Sequence, residues 1–136
     1  MKIIFTALNC FFATVLFGQN IGDTKIIISI GDTMGIYQKV KYALVNSDFI
    51  VKDNGIVDTL TTYSREYSGI HCAARAIIKD HTVILTGAYG LKRMDDWGYT
   101  QAPKSYERIL YYTGSKGWRL LMAVANRLGG QLEYSH

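Results

Sequence analysis

The stretch from Ile70 to Thr86 constrains this chain more than any other, because its side chains alternate with a period of two on both sides of a short polar break. Ile70, Cys72, Ala74, Ala76 and Ile78 fall on one side, and His71, Ala73, Arg75, Ile77 and Lys79 on the other. Lys79-Asp80-His81 is the expected tip, and the return strand sets Val83 and Leu85 against Thr82, Ile84 and Thr86. A period of two is the repeat of a strand, so this segment predicts an antiparallel hairpin. Its inward row is small. Cys72, Ala74 and Ala76 leave room for a helix close to the sheet, where larger side chains would overpack.

The elements around the hairpin follow from period and punctuation. Lys25 to Ile30 reads KIIISI, a β-branched run that predicts a strand buried on both faces or an interior strand of a sheet. Gly31-Asp32-Thr33 stops it, and Asp32 or Thr33 is placed to cap a helix over roughly Met34 to Ser47. There Ile36, Tyr37, Val40, Ala43, Leu44 and Ser47 recur at helical spacing. Phe49-Ile50-Val51 opens a second strand, Asp53-Asn54-Gly55 turns it, and a third follows near Val57 to Tyr63. From Gly90 to Lys104 no period is sustained, which predicts a long loop. Arg108 to Tyr112 reads as a further strand, and Ser115 caps a second helix with Trp118, Leu121, Met122, Ala125 and Leu128 as its apolar stripe. Gly129-Gly130 ends that helix, and Gln131 to Ser135 forms a last short strand. The expected fold is α+β, an antiparallel sheet with two helices packed on one face, in the order β-α-β-β-β-β-(β)-α-β.

The first nineteen residues have the layout of a secretory signal peptide. Lys2 gives a cationic start, Ile3 to Phe17 is apolar apart from Thr6, Asn9 and Thr14, and Gly18-Gln19-Asn20 turns polar. The run is too short to span a bilayer, no later segment approaches that length, and cleavage is expected near Gly18 or Gln19. Residues 1–19 are thus read as leader and 20–136 as one domain, periplasmic or secreted. Cys10 lies inside the apolar run and follows Asn9, where lipoprotein signals place a small residue, so lipid anchoring through Cys10 is not expected. Loss of Cys10 leaves Cys72 without an internal disulfide partner, read as a buried small hydrophobe. Packing must then hold the fold, which suits a chain 49% hydrophobic with one proline. The cationic excess of 15 Lys+Arg over 11 Asp+Glu is mild and scattered, so nucleic acid is not an expected partner.

The helix bearing Tyr37, Val40, Ala43 and Leu44, followed by Asp48-Phe49-Ile50-Val51 and Thr61-Thr62, resembles small exported bacterial α+β domains of unknown function. It is similar to outer-membrane assembly lipoprotein C domains, which share that succession of helix and strand, over about thirty residues. The ending in a helix, Gly129-Gly130 and a strand is similar to other exported α+β proteins. These resemblances imply a domain of the bacterial envelope and supply no catalytic residue.

No motif specifies a reaction. Gly31-Asp32-Thr33-Met34-Gly35 lies between strand and helix but lacks the glycine and lysine pattern of a nucleotide site. His71 and Cys72 are adjacent on a strand and point to opposite faces, His81 sits at the hairpin tip ~20 Å or more from His71, and His136 is terminal, so neither metal nor cofactor is expected. Glu66, His71, Cys72, Asp95 and Asp96 are the ionisable or nucleophilic candidates, and no catalytic spacing joins them. The stretch Tyr89 to Tyr112 is different in kind. Its aromatic residues interleave with Lys92, Arg93, Lys104 and Arg108, a composition typical of interface anchors. The expected function is a non-enzymatic exported binding or structural domain that takes an envelope protein, peptide or glycan through Trp97, Tyr99, Lys92, Arg93, Tyr106 and Arg108. The plainer structural reading has Trp97 and Tyr99 folded back over a sheet edge. The alternative function is a small secreted hydrolase using His71 with Glu66 on the open sheet face.

Overall fold

A computed structural model of the chain describes residues 18–52 and 58–136. The leader through Phe17, with Cys10, lies outside those residues, as do the Asp53-Asn54-Gly55 turn and Val57. In chain order the elements are β1 (Lys25–Ser29), α1 (Ile36–Asn46), β2 (Val51–Lys52), β3 (Thr59–Thr62), β4 (Arg65–Tyr67), β5 (Ile70–Lys79) and β6 (Thr82–Leu91). Then come β7 (Arg93–Met94), β8 (Thr100–Gln101), β9 (Glu107–Arg108), α2 (Lys116–Leu128) and β10 (Gln131–Ser135). The class is α+β, as the sequence predicts, with more strands than anticipated.

The β5–β6 hairpin is the axis of the sheet. Its register runs from Ile70 opposite Leu91 to Lys79 opposite Thr82, so Asp80 and His81 make the turn and Lys79 still belongs to the strand. Asp80 takes the left-handed conformation (φ 54°) that such a tight turn demands and that Asp tolerates. Along the main path the strands run β10-β1-β6-β5-β3-β2, all antiparallel. β1 and β3 flank only the turn end of the hairpin, while β9 and β4 flank its other end.

Both helices cover one face. Ile26, Ile28, Leu60, Ala76, Val83 and Leu85 of the sheet pack there with Val40 and Leu44 of α1 and Leu121, Val124 and Ala125 of α2. Full burial of each Ile, Leu or Val among them stabilises by ~1.5–3 kcal/mol before conformational entropy is subtracted. β1 is interior to the sheet but not buried on both faces: Ile26 and Ile28 are 0% exposed, Ile27 is half-buried and Ser29 is exposed. Its other face meets the open side of the sheet, where Ile27, Ile84 and Ile77 line up across three strands.

The helix ends differ in origin. Ser115 caps α2, its Oγ accepting the Trp118 N–H at 3.2 Å, and Gly129 (φ 72°) closes it as expected. α1 starts instead at Ile36 behind Gly35 (φ 66°), and neither Asp32 nor Thr33 caps it. Asp32 spends its carboxylate on the Met34 N–H at 3.0 Å and on Lys39, two contacts that hold its pKa below the usual range. A left-handed glycine turns the chain into the helix there, which displaces the cap from the residues that sequence pattern favours.

Candidate functional site

The end of the hairpin away from its turn departs most from the sequence reading. β6 continues through Gly90 to Leu91 where a loop was expected, and β4, unforeseen in the sequence, pairs with the start of β5 through the Ser68-Gly69 turn. Two glycines let a later segment press onto β6. A Cβ at Gly90 would lie 2.5 Å from Pro103, and one at Gly87 would lie 2.7 Å from Ile109 Cδ1 and 2.9 Å from the Ala73 carbonyl. Between those contacts β9 pairs Arg108 with Ala88 and Glu107 with Tyr89, occupying the edge that β1 leaves free. The strand expected over Arg108 to Tyr112 therefore shortens to Glu107–Arg108, since Ile109 turns into the core and Tyr111 exchanges hydrogen bonds with Gly22 and Asp23.

The expected loop is instead a second hairpin. Arg93 pairs with Gln101 and Met94 with Thr100, and Asp95 organises the tip between them. One Asp95 oxygen accepts the N–H groups of Trp97 (2.9 Å) and Tyr99 (2.8 Å), and the other accepts from Gln101 Nε2 (3.2 Å). Asp95 is thus the internal brace of the tip, as Asp residues often are in turns. Trp97 is 86% exposed and Tyr99 71% exposed, so neither folds back to cover a sheet edge. Asp96 beside them is exposed.

The remaining candidates divide between two clefts. Arg93 donates through Nε to the Ala102 carbonyl at 2.9 Å and, with Tyr89, Lys104 and Glu107, lines a cleft of about 250 Å³. Tyr89 donates its hydroxyl to Glu107 at 3.3 Å, and partial burial, followed by that carboxylate, raises its pKa above the usual phenol value. Tyr106 and Arg108 belong to the other face. They border a cleft of about 380 Å³ floored by Ala73 and Ala88, and the Tyr106 hydroxyl reaches across it to donate to Ser64 Oγ at 3.2 Å. The six candidate residues therefore do not converge on one point. Lys92 is engaged elsewhere, in an ion pair with Glu66 that holds the Glu66 carboxyl below its usual range.

That pairing bears on His71 and Glu66. They are cross-strand neighbours, but the Glu66 carboxylate bonds Lys92, and the His71 Nε2 is buried without a hydrogen-bond partner. No His71–Glu66 hydrogen bond forms among the described residues. Cys72 is 0% exposed, and burial pushes its thiol pKa up to about 11, which leaves almost no thiolate near neutral pH. Among the described residues no group of three or more His, Cys, Asp or Glu could hold a metal ion, and no helix is long and apolar enough to cross a membrane.

Sequence reasoning missed the open-face cleft, although a signal for it existed. Ala73, Ala88 and Gly87, which line it, are small or side-chain-free residues within paired strands, and glycine in a strand interior marks a close approach by another segment. No protein-family model, curated protein or solved structure matches this chain.

Proposed function

We propose that the chain is an exported, non-enzymatic binding domain of the bacterial envelope, and that it engages a partner protein through the β7–β8 hairpin. The exposure of Trp97 and Tyr99 on a tip braced by Asp95 carries this reading. Large aromatic side chains on a backbone already fixed by hydrogen bonds leave little further main-chain entropy to lose when a partner covers them, which makes them strong anchors. Arg93 at the hairpin base adds a fixed cation, its guanidinium tied to Ala102. The leader-like run from Ile3 to Phe17 supports export.

The test is a photo-crosslinker introduced at residue 97 or 99 in the full chain expressed with its leader, compared with one at Ser135 on the far edge of the sheet. A discrete adduct from the hairpin positions alone is expected, and Trp97→Ala with Tyr99→Ala should abolish capture of that partner while the melting temperature stays unchanged. Undiminished capture by a well-folded double variant would remove the hairpin as the contact. Release of the partner by soluble glycan would instead point to a carbohydrate ligand.

A further inference from the structure

The segment just after the apolar leader is anchored through its side chains. Gln19 Oε1 accepts the Trp118 indole N–H at 3.2 Å, and Gln19 Nε2 donates to the Tyr134 hydroxyl at 3.4 Å. Trp118 is itself 2% exposed and tilts against Tyr111 and Tyr134, with ring centroids 5.7 and 6.1 Å away. The next residue is fixed as well, the Asn20 N–H donating to the Asp23 carboxylate at 2.8 Å. Gly18, one residue earlier, is exposed. Gln19 and Asn20 are thus held against the domain, and Gly18 before them is a small residue of the kind that signal peptidases accept at the position preceding the cut.

We propose that export cleaves the Gly18–Gln19 bond and that Gln19 then closes on itself to a pyroglutamyl terminus seated against Trp118. This rests on the export half of the function proposed above. Hydrolysis frees the Gln19 α-amine, whose nitrogen attacks the side-chain carbon Cδ. The N–Cδ bond forms, the Cδ–Nε2 bond breaks, and the proton lost by the amine passes to Nε2, which leaves as ammonia. Oε1 remains as the lactam carbonyl, and no oxidant or reductant takes part.

The two contacts of the Gln19 side chain fall on the two atoms that change. The Trp118 N–H points at Oε1, where negative charge develops as the amine adds. The Tyr134 hydroxyl lies beside Nε2, placed to relay a proton to the departing nitrogen. The lactam retains Oε1 as an acceptor for the Trp118 N–H and no longer carries the Nε2 that donates to Tyr134. It also replaces an α-ammonium, costly to desolvate beside an aromatic cluster, with a neutral ring.

The experiment is the intact mass and N-terminal peptide map of the full chain expressed with its leader in a bacterial host and recovered from the periplasm or medium. The expected product starts at Gln19, weighs one ammonia less than the open form, and yields to Edman degradation only after pyroglutamyl aminopeptidase. Tyr134→Phe should slow ring closure at least ~10-fold, read as a persistent fraction of open Gln19. Gln19→Glu should be exported and folded yet remain open. A wild-type product that starts at Gln19 with a free amine overturns the ring closure and leaves export standing. Retention of Met1 overturns both, and any other first residue overturns the inference.

Discussion

At its turn the β5–β6 hairpin is gripped by aliphatic side chains, with Leu85 between Ile26 and Ala76 and Val83 between Ile28 and Ile78, all under the two helices. At its opposite end the ties are largely polar. Arg65 donates to the Ser47 carbonyl at 2.8 Å at the end of α1, Lys116 to the Ser68 carbonyl at 2.6 Å, and Tyr106 to Ser64, while Lys92 pairs with Glu66. Exposed ties of this kind are screened by water and stabilise little, whereas each fully buried Leu, Ile or Val contributes ~1.5–3 kcal/mol. The hairpin thus runs from an end packed under both helices to an end tied mainly through polar side chains, where the clefts and the aromatic tip are found. Regions of low local stability are where binding surfaces can be built without unfolding the core.

Leu85→Ala strikes the packed end and should have the largest effect, a loss of about 3 kcal/mol in the free energy of unfolding by urea titration. A loss below ~1 kcal/mol would mean that the helices do not grip the turn end as described. Gly87→Ala tests the junction of the two ends, where the new methyl meets Ile109 and the Ala73 carbonyl. It should cost about 2 kcal/mol. The Ala73 carbonyl belongs to the sheet backbone, so relaxation of Ile109 alone cannot clear it.

Arg65→Ala removes a half-buried hydrogen bond to Ser47 together with the contacts of the guanidinium over the Phe49 and Tyr67 rings, 5.8 and 5.5 Å from their centroids. It should cost about 1.5 kcal/mol, with amide exchange rising first in β4 and not in β1. Lys92→Ala should be the mildest. The Glu66 carboxyl, held low chiefly by its hydrogen bond to Lys92, should titrate higher by NMR in the variant. A depressed carboxylate stabilises the fold above its unfolded pKa and loses that contribution as pH falls, so any difference between variant and wild type should vanish in acid.

The legibility of the two ends differs for the same physical reason. The turn end declares itself through period, since Val83 and Leu85 alternate with Thr82 and Ile84, and burial enforces that alternation. Ser115 and Gly129 were legible too, because capping is local chemistry. The open end breaks the pattern. Gly87 and Gly90 leave room for Ile109 and Pro103, which arrive there from later in the chain, and the period of two does not contain that information. Asp95 reads as one more exposed charge until its hydrogen bonds to Trp97, Tyr99 and Gln101 are seen to fix the tip.

Sequence alone determined that this chain builds helices on one face of an antiparallel sheet, because hydrophobic period and cap chemistry are properties of neighbouring residues. Only the tertiary structure decided that the supposed loop is a braced hairpin, that the six candidate residues part between a tip, two clefts and an ion pair, and that Gln19 docks on Trp118 and Tyr134. Those outcomes depend on contacts between residues distant in the chain, whose energies exist only once the sheet has brought them together.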